Sequence, residues 1–509
     1  MFKRDEIAVR EKIVKISSYV LCVLLFSTTI FAAENGPDSG SKPNIIVILA
    51  DDMGQWAMGA YGLDAIKTPT LDYLADTGVM FKNAMTPAPV CSPARASFYT
   101  GKIPSQHGVH DFLGQDKSLE QPWLEGETLL SERLKQSGYT TALIGKWHAT
   151  TYDRPPQPGF DQWLSYNSVE RGWQSQYKKS GDLYFSDNGT EVEHEGVQAQ
   201  YLTSRAIRFI DEREADQPFF VSLNFTEPHA PFSGWPERLV QQYRQVARDI
   251  IRAGGSSTLD PMGIDALGAS NLVPEDHNEQ LAQYLAGIAL IDDQVGRLLD
   301  ALEGRGLRDN TVVVFASDHG MLMGQYGLYG KVNASKQYNF YEETIRIPLV
   351  IKAPDGIVRN EQVRSEFVDL IDLHHTILDF AGYQGELPHS PGRSMLPLLE
   401  GSRTNDWRNY QISERGNARM ITNGHWKLVR YYYRDPDKTP LDYWYNQSNP
   451  MGEQYESEPP REAVREKLIA TLDAHFATYE DKKWSGRNIW NIPPHNFRVK
   501  KELESGRWE

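Results

Sequence analysis

Three short stretches of this chain carry side chains able to do chemistry together. The apolar run at residues 45–50 leads straight into Asp51-Asp52, and the strand-like run at 311–316 leads into Ser317-Asp318-His319-Gly320. Adjacent carboxylates repel unless a counter-charge lies between them, and a hard divalent cation supplies one. An isolated Asp-Asp also serves as a helix cap or turn; two buried strands that each end in candidate ligands favour a metal site. The third stretch runs Cys91-Ser92-Pro93-Ala94-Arg95-Ala96-Ser97-Phe98-Tyr99-Thr100-Gly101. Pro93 suits the first turn of a helix and Gly101 its C-terminal cap, so Cys91 falls at the helix's positive end, where anions gather. Arg95, one turn on, can return to the Cys91 side chain. A thiol in so basic and polar a setting reads as an activated nucleophile rather than an inert small hydrophobe.

Positioning these groups requires buried strands that end together. A continuous apolar run at residues 45–49 and short, mainly apolar stretches at 79–84, 140–144, 219–224, 311–316 and 348–352 read as strands, and amphipathic stretches at 71–76, 127–136, 198–213 and 277–302 read as helices between them. Such alternation predicts an α/β fold: a large, mainly parallel sheet flanked by helices on both faces, with ligands at the carboxyl ends of the strands. Gly, Pro and Ser cluster at residues 383–392, and the pattern changes beyond them. We place the catalytic α/β domain at 34–395 and a smaller C-terminal α+β domain at 396–509, with a hairpin around Asn423-Gly424 and a helix over 461–479.

The 509 residues exceed what one core supports, and 40% hydrophobic with 24% charged residues is ordinary for a folded globular chain. With 53 Lys+Arg against 68 Asp+Glu, the net charge of −15 argues against a nucleic-acid partner. Residues 1–33 read as a signal peptide: Lys3, Arg4, Arg10, Lys12 and Lys15 precede an apolar stretch short for a lasting membrane anchor, with an uncleaved signal-anchor the alternative because Phe31-Ala32-Ala33 is a poor cleavage site. Export to the periplasm or beyond is the expectation, with cleavage removing Cys22 and leaving Cys91 alone. A single cysteine makes no internal disulfide, so its presence in an oxidising compartment needs another reason. Sequons begin at Asn188, Asn224, Asn333 and Asn446, the second of them inside an expected buried strand.

Cys-x-Pro-x-Arg followed by Ala-Ser and Thr-Gly, as it stands from Cys91 to Gly101, resembles the signature of the formylglycine-dependent sulfatases of the alkaline phosphatase superfamily. Further blocks similar to that family occur in order: Asp51-Asp52, Gly145-Lys146-Trp147-His148, Pro228-His229-Ala230-Pro231, Ser317-Asp318-His319-Gly320, and Gly330-Lys331 ahead of Tyr341-Glu342. The resemblance spans residues 43–399, ending at Gly392-Arg393 and the Met395-Leu396-Pro397-Leu398-Leu399 run.

The resemblance implies that Cys91 is oxidised to formylglycine by a formylglycine-generating or other sulfatase-maturing enzyme. It implies Asp51, Asp52, Asp318 and His319 as metal ligands, together with an oxygen of residue 91, and Ca2+ as the usual ion. Many members carry Asn where His319 stands; imidazole is softer than an amide oxygen and also suits Mn2+ or Zn2+, with Mg2+ a further alternative. By the same likeness Arg95 and Lys146 belong to the catalytic set, and His148 deprotonates the second hydroxyl of the hydrated aldehyde. His229 and Lys331 meet the sulfate or leaving group, with Lys336 a rival for the second place. Lys146 and His148, two apart at a strand end, can face one pocket.

His107 and His110 either face substrate or cap turns. Arg171 and Trp173, like Trp147, could meet a sugar by stacking or ion pairing, whereas His374 and His375 read as structural. The function expected is an exported sulfatase hydrolysing sulfate monoesters, most naturally on a carbohydrate. A phosphonate monoester or phosphodiester hydrolase of the same superfamily is the nearest enzymatic alternative. A catalytically silent sulfoglycan-binding protein is the other, should Cys91 stay a thiol.

Overall fold

The computed structural model describes residues 42–114, 117–166, 171, 177–250, 259–262, 272–358, 363–402, 405–449 and 452–504. The expected leader at 1–33 and Trp173 lie outside the described residues. Ten strands build the main sheet: β1 (Asn44–Asp51), β2 (Val79–Met85), β3 (Thr140–Gly145), β4 (Gln162–Tyr166), β5 (Ser180–Asp187), β6 (Thr190–Val197), β7 (Phe219–Pro228), β8 (Thr311–Ser317), and two strands after the short β9 (Leu322–Met323) and β10 (Tyr329–Gly330) pair, namely β11 (Leu349–Lys352) and β12 (Val363–Asp369). Their order is β12-β2-β11-β8-β1-β7-β3-β4-β5-β6. The central run β8-β1-β7-β3-β4 is parallel throughout.

β1 sits in the middle of that run with every residue buried, because its side chains serve two cores at once. Ile46, Ile48 and Ala50 pack with β7 and β8 residues against the helices Gln198–Glu212 and His277–Glu303. Ile45, Val47 and Leu49 pack the other way, against the helices Cys91–Thr100, Leu130–Gln136 and Leu370–Phe380. The period of two along each strand sends alternate residues to opposite faces, and each such side chain taken out of water contributes about 1.5–3 kcal/mol. This is the expected α/β arrangement with helices on both faces. β11 differs in direction, running antiparallel to both β8 and β2. The antiparallel β5–β6 hairpin at the sheet edge is an addition that the sequence pattern did not reveal.

The C-terminal part holds a four-stranded antiparallel sheet, β13 (Gln411–Arg415), β14 (Ala418–Thr422), β15 (Trp426–Tyr431) and β16 (Leu441–Asn446). The hairpin at Asn423-Gly424 joins β14 to β15 as expected, with Gly424 at φ 81°. One face of this sheet covers the helix Glu462–Tyr479 through Ile421, Leu428, Leu472 and Phe476. Its other face, through Met420, Val429 and Tyr431, packs on Leu328, Val332, Phe340 and Tyr341, the segment that carries Lys331.

Candidate active site

The carboxyl ends of β1, β3, β7 and β8 bring the chemistry together. β1 stops at Asp51, and Asp52 turns off it in the left-handed region at φ 69°. Successive strand residues point to opposite faces, so without that turn only one of the two carboxylates would enter the site. A non-glycine residue held there stores about 1–3 kcal/mol of strain, which is common where function dictates the backbone. The helix Cys91–Thr100 comes after the loop beyond β2 and is capped by Gly101 at φ 72°, as its sequence predicts. Gly145, at φ 110°, is demanded by packing: a Cβ there would lie 1.9 Å from the Asn224 carbonyl oxygen. That close approach sets Lys146 immediately beyond β3, where its backbone N–H donates to the same oxygen at 3.0 Å.

Lys146 Nζ lies 2.5 Å from Asp51 Oδ2. Arg95 Nε donates to Asp318 Oδ2 at 2.9 Å and Nη1 donates to the Lys146 carbonyl at 2.8 Å, with Nη2 3.7 Å from Asp51 Oδ1. The guanidinium therefore braces two carboxylates, whereas the sequence placed it against Cys91. The reason is tertiary: β1 and β8 deliver charges that a fully buried guanidinium must pair with. Cys91 Sγ instead has Lys331 Nζ at 2.9 Å and His319 Nε2 at 3.2 Å, with Asp52 Oδ1 at 3.9 Å. Lys331 also pairs with Asp52 Oδ1 at 2.7 Å. Lys336 turns away to the exposed Asp260 at 3.3 Å, so geometry decides between the two lysines.

Charge and burial shape the ionisation. Burial and Asp51 push the Cys91 thiol up, but Lys146, Lys331 and His319 pull it down further, for a net lowering. Burial alone would raise Asp51, yet Lys146, His229, Arg95 and Lys331 hold it well below the usual carboxylate range. Burial wins at Asp52, pushed up to about 7 against the pull of Lys331 and His319. His319 is pushed up to about 9, burial being outweighed by Asp318 and Cys91.

Donor atoms of Asp51, Cys91, Asp318 and His319 all lie within 4.8 Å of one another, as do those of Asp52, Cys91 and His229. His319 Nδ1 faces the Gly320 carbonyl at 2.9 Å and so keeps a hydrogen there, which leaves Nε2 turned inward as the atom that would give up its proton to a bound cation. Asp51 Oδ1 is buried with no hydrogen-bond partner. Three carboxylates, one oriented imidazole and an orphaned buried oxygen fit a divalent cation.

Access is one-sided. The side chains of Asp51, Asp52, Arg95, Lys146, Asp318 and His319 are 0–1% exposed, while those of His229 and Lys331 reach 16%. His229, beyond the end of β7, has Nε2 3.6 Å from Asp52 Oδ2 and Nδ1 2.5 Å from the Ala230 carbonyl. His148, at φ 49°, has Nε2 3.2 Å from the Leu113 carbonyl and Nδ1 buried without a partner.

Other expected residues sit elsewhere. Both ring nitrogens of the buried His107 are engaged, with Ser97 Oγ at 3.0 Å and the Val109 N–H at 3.2 Å, leaving none for a ligand. His110 is fully buried, with Nε2 2.7 Å from the Trp484 carbonyl and its ring beside His495. For these two histidines, turn and packing contacts replace the substrate-facing position. Arg171 pairs with Glu191 at 2.7 Å and covers the Tyr184 ring at 4.0 Å, on the β5–β6 hairpin, so its charge is already matched. His374 and His375 are structural as expected, each bonding a helix carbonyl through Nδ1. Asn224 is wholly buried, with its amide donating to Tyr99 Oη and the Lys146 carbonyl, and so is no acceptor for a glycan. Sequence reading missed Tyr177, whose ring stacks on His229, and Tyr284, whose hydroxyl donates to the Asp52 carbonyl at 2.8 Å. Neither lies in a motif, and no periodicity marks them.

Residues 43–383 match the sulfatase family, and 324–476 match the N-sulphoglucosamine sulphohydrolase C-terminal family. The chain belongs to the sulfatase family. An N-acetylglucosamine-6-O-sulfatase of Bacteroides thetaiotaomicron is 28% identical over 434 residues, covering 72% of this chain and 73% of that protein. A choline-sulfatase of Rhizobium meliloti is 27% identical over 448 residues, covering 81% and 83%. Among solved structures, a protein in complex with its substrate D-glucosamine-2-N,6-O-disulfate superposes with TM-score 0.72 at 23% identity, covering 86% of this chain and 98% of that one. This sulfatase is thus a sulfuric ester hydrolase built on the family's α/β fold. No helix among its described residues is long and apolar enough to cross a membrane.

Proposed function

We propose that this sulfatase hydrolyses sulfate monoesters of carbohydrates after a maturing enzyme has converted Cys91 to formylglycine, with one Ca2+ held by Asp51, Asp52, Asp318, His319 and an oxygen of residue 91. The observation that carries the reading is the setting of Cys91. It lies at the start of a buried helix, within 3.2 Å of both Lys331 Nζ and His319 Nε2, and beside a cluster of donors suited to a cation. The bound cation supplies positive charge that offsets the sulfate's negative charge. A hydrated formyl group offers two hydroxyls, one to attack sulfur and one whose deprotonation releases the sulfate.

The chain's own residues do the rest. Arg95 and Lys146 hold Asp51 and Asp318 in orientation, as their ion pairs support. Lys331 sets an ammonium beside the nucleophile, where sulfate oxygens gather. His148 Nε2 faces a carbonyl and must carry the hydrogen, so its unpartnered Nδ1 is the lone pair; burial and Lys146 lower it to about 4, which suits a neutral proton acceptor. His229 and Lys331, the exposed pair, stand where the leaving alcohol departs. His229 Nδ1 donates to the Ala230 carbonyl, and burial and Lys331 hold the imidazole well below its usual range, so Nε2 protonates the alcohol only after an arriving sulfate anion offsets the Lys331 charge and a proton is taken up.

A saccharide substrate is supported by the activity of the Bacteroides thetaiotaomicron relative and by the sulfated glucosamine in the structural neighbour. The basic and apolar start of the chain supports export, and the change of pattern near residue 395 supports a boundary between catalytic and C-terminal domains there. Peptide mass spectrometry of active protein should show an aldehyde at position 91. A panel of sulfated monosaccharides, 6-O-sulfated N-acetylglucosamine first among them, should outperform a phosphonate monoester in kcat/KM. Only unmodified thiol in active protein, or a preference for the phosphonate, defeats the proposal.

A further inference from the structure

Tyr177 belongs to no motif, yet it touches both ends of the site. Its ring lies parallel to the His229 imidazole, with centroids 4.2 Å apart and an interplanar angle of 14°. The Lys146 ammonium lies 5.2 Å from the same ring's centroid and the Lys179 ammonium 6.0 Å. Tyr177 is itself buried, and Lys179 Nζ is anchored to the Thr226 carbonyl at 3.1 Å. The aromatic ring therefore lies near two cations and presents a flat face to the histidine.

An imidazole can turn about its Cβ–Cγ bond, and that torsion has a broad, shallow profile. Contact with the Ala230 carbonyl restrains one nitrogen of His229, but the side chain is partly exposed and lies near the surface. A parallel aromatic wall at van der Waals distance removes the remaining freedom, because any rotation drives the imidazole edge into the Tyr177 ring. Nε2 then stays directed at the site, 3.6 Å from Asp52 Oδ2. We propose that Tyr177 is a positioning residue that holds His229 in the plane needed to act on the leaving alcohol. This rests on the role given to His229 above. The contact requires a planar ring and makes no use of the phenol hydroxyl.

The test is a double-mutant cycle read as kcat/KM on phenyl sulfate, whose leaving group is basic, and on 4-nitrophenyl sulfate, whose leaving group is not. Tyr177→Leu, which removes the flat face, should lose roughly tenfold or more on phenyl sulfate, since small misplacements of an acting group are costly. It should lose much less on 4-nitrophenyl sulfate. In a His229→Ala background the same change should cost less than about twofold, because its effect passes through the imidazole. Tyr177→Phe, which keeps the flat face, should lose far less on phenyl sulfate than Tyr177→Leu, and Tyr177→Met repeats the measurement should the leucine variant not fold. Equal losses from Tyr177→Leu with and without His229, or a native rate in the leucine variant, overturn the proposal. Failure of the His229 assignment shows separately, as equal losses for His229→Ala on the two esters, and leaves the coupling measurement intact.

Discussion

Replacing Arg95 by Met should weaken the protein in a way that a cation partly repairs. The guanidinium is fully buried and pairs with Asp318 at 2.9 Å and, more loosely, with Asp51 at 3.7 Å. Methionine is similar in length and keeps the packing, but it leaves Asp51 to Lys146 and Asp318 to the looser contact with His319 at 3.7 Å. Breaking a buried ion pair by removing one partner costs about 3–5 kcal/mol. At an unfolding entropy of ~2.1 cal/mol/K per residue, that lowers the melting temperature of a chain this size by about 3–5 °C. Calorimetry of chelator-stripped native and Arg95→Met protein measures the difference. Added Ca2+ should then raise the variant by more than the native protein, since the cation replaces the missing positive charge between Asp51 and Asp318. Both proteins gain from the ion, so the gap closes only by the ratio of their affinities, about 1.4 kcal/mol for each tenfold by which the variant binds Ca2+ more tightly. A stripped variant that melts with the native protein, or equal gains on adding Ca2+, would refute both the pairing argument and the placement of the cation.

The same geometry sets other outcomes. Cys91→Ser should undergo a single sulfation and then stall, because serine offers one hydroxyl and the release step needs two; mass spectrometry should show a stable sulfate ester, and continued turnover would contradict the role given to position 91. His229→Ala should lose roughly 10²–10⁴-fold on a sulfated sugar but little on 4-nitrophenyl sulfate, while Lys331→Ala should lose similarly on both, because sulfate contact is common to the two substrates. Glu414 is buried and accepts hydrogen bonds from Ser105, and burial pushes it up to about 7 against the pull of Arg419. Its folded value lies above the unfolded one of 4.5, so the folded state binds the extra proton and stability falls as pH rises from about 4.5 to 7. Glu414→Gln should remove that slope, leaving the variant more stable than native protein above pH 7 by up to about 3 kcal/mol in urea unfolding. A native-minus-variant difference that stays constant with pH would contradict it.

The linear chain determined the strands and the groups at their ends. Residues 45–50 and 312–316 are apolar without interruption, so each run had to be buried on both faces, and the polar residues directly after it had to emerge at a sheet edge. Pro93 and Gly101 bounded the nucleophile helix through backbone constraints that act within a few residues. Those signals are local, which is why they are legible without a fold. Tertiary structure alone decided which charge meets which. The partners of Arg95 come from β1, β8 and the turn after β3, separated from it by 44, 223 and 51 positions. Lys331 and Lys336 are alike as residues, and only the loop packed beneath β14 and β15 turns the first toward Cys91 and the second toward solvent. His107 and His110 come soon after the nucleophile helix, but both nitrogens of the first are taken by Ser97 and Val109, and Nε2 of the second by the distant Trp484 carbonyl. Tyr177 has no motif at all; its stack on His229 joins a residue just before β5 to one just after β7, 52 positions apart. Periodicity specifies which face of an element is apolar. Which polar side chain finds which partner depends on contacts far apart in sequence, and these are set only when the whole sheet closes.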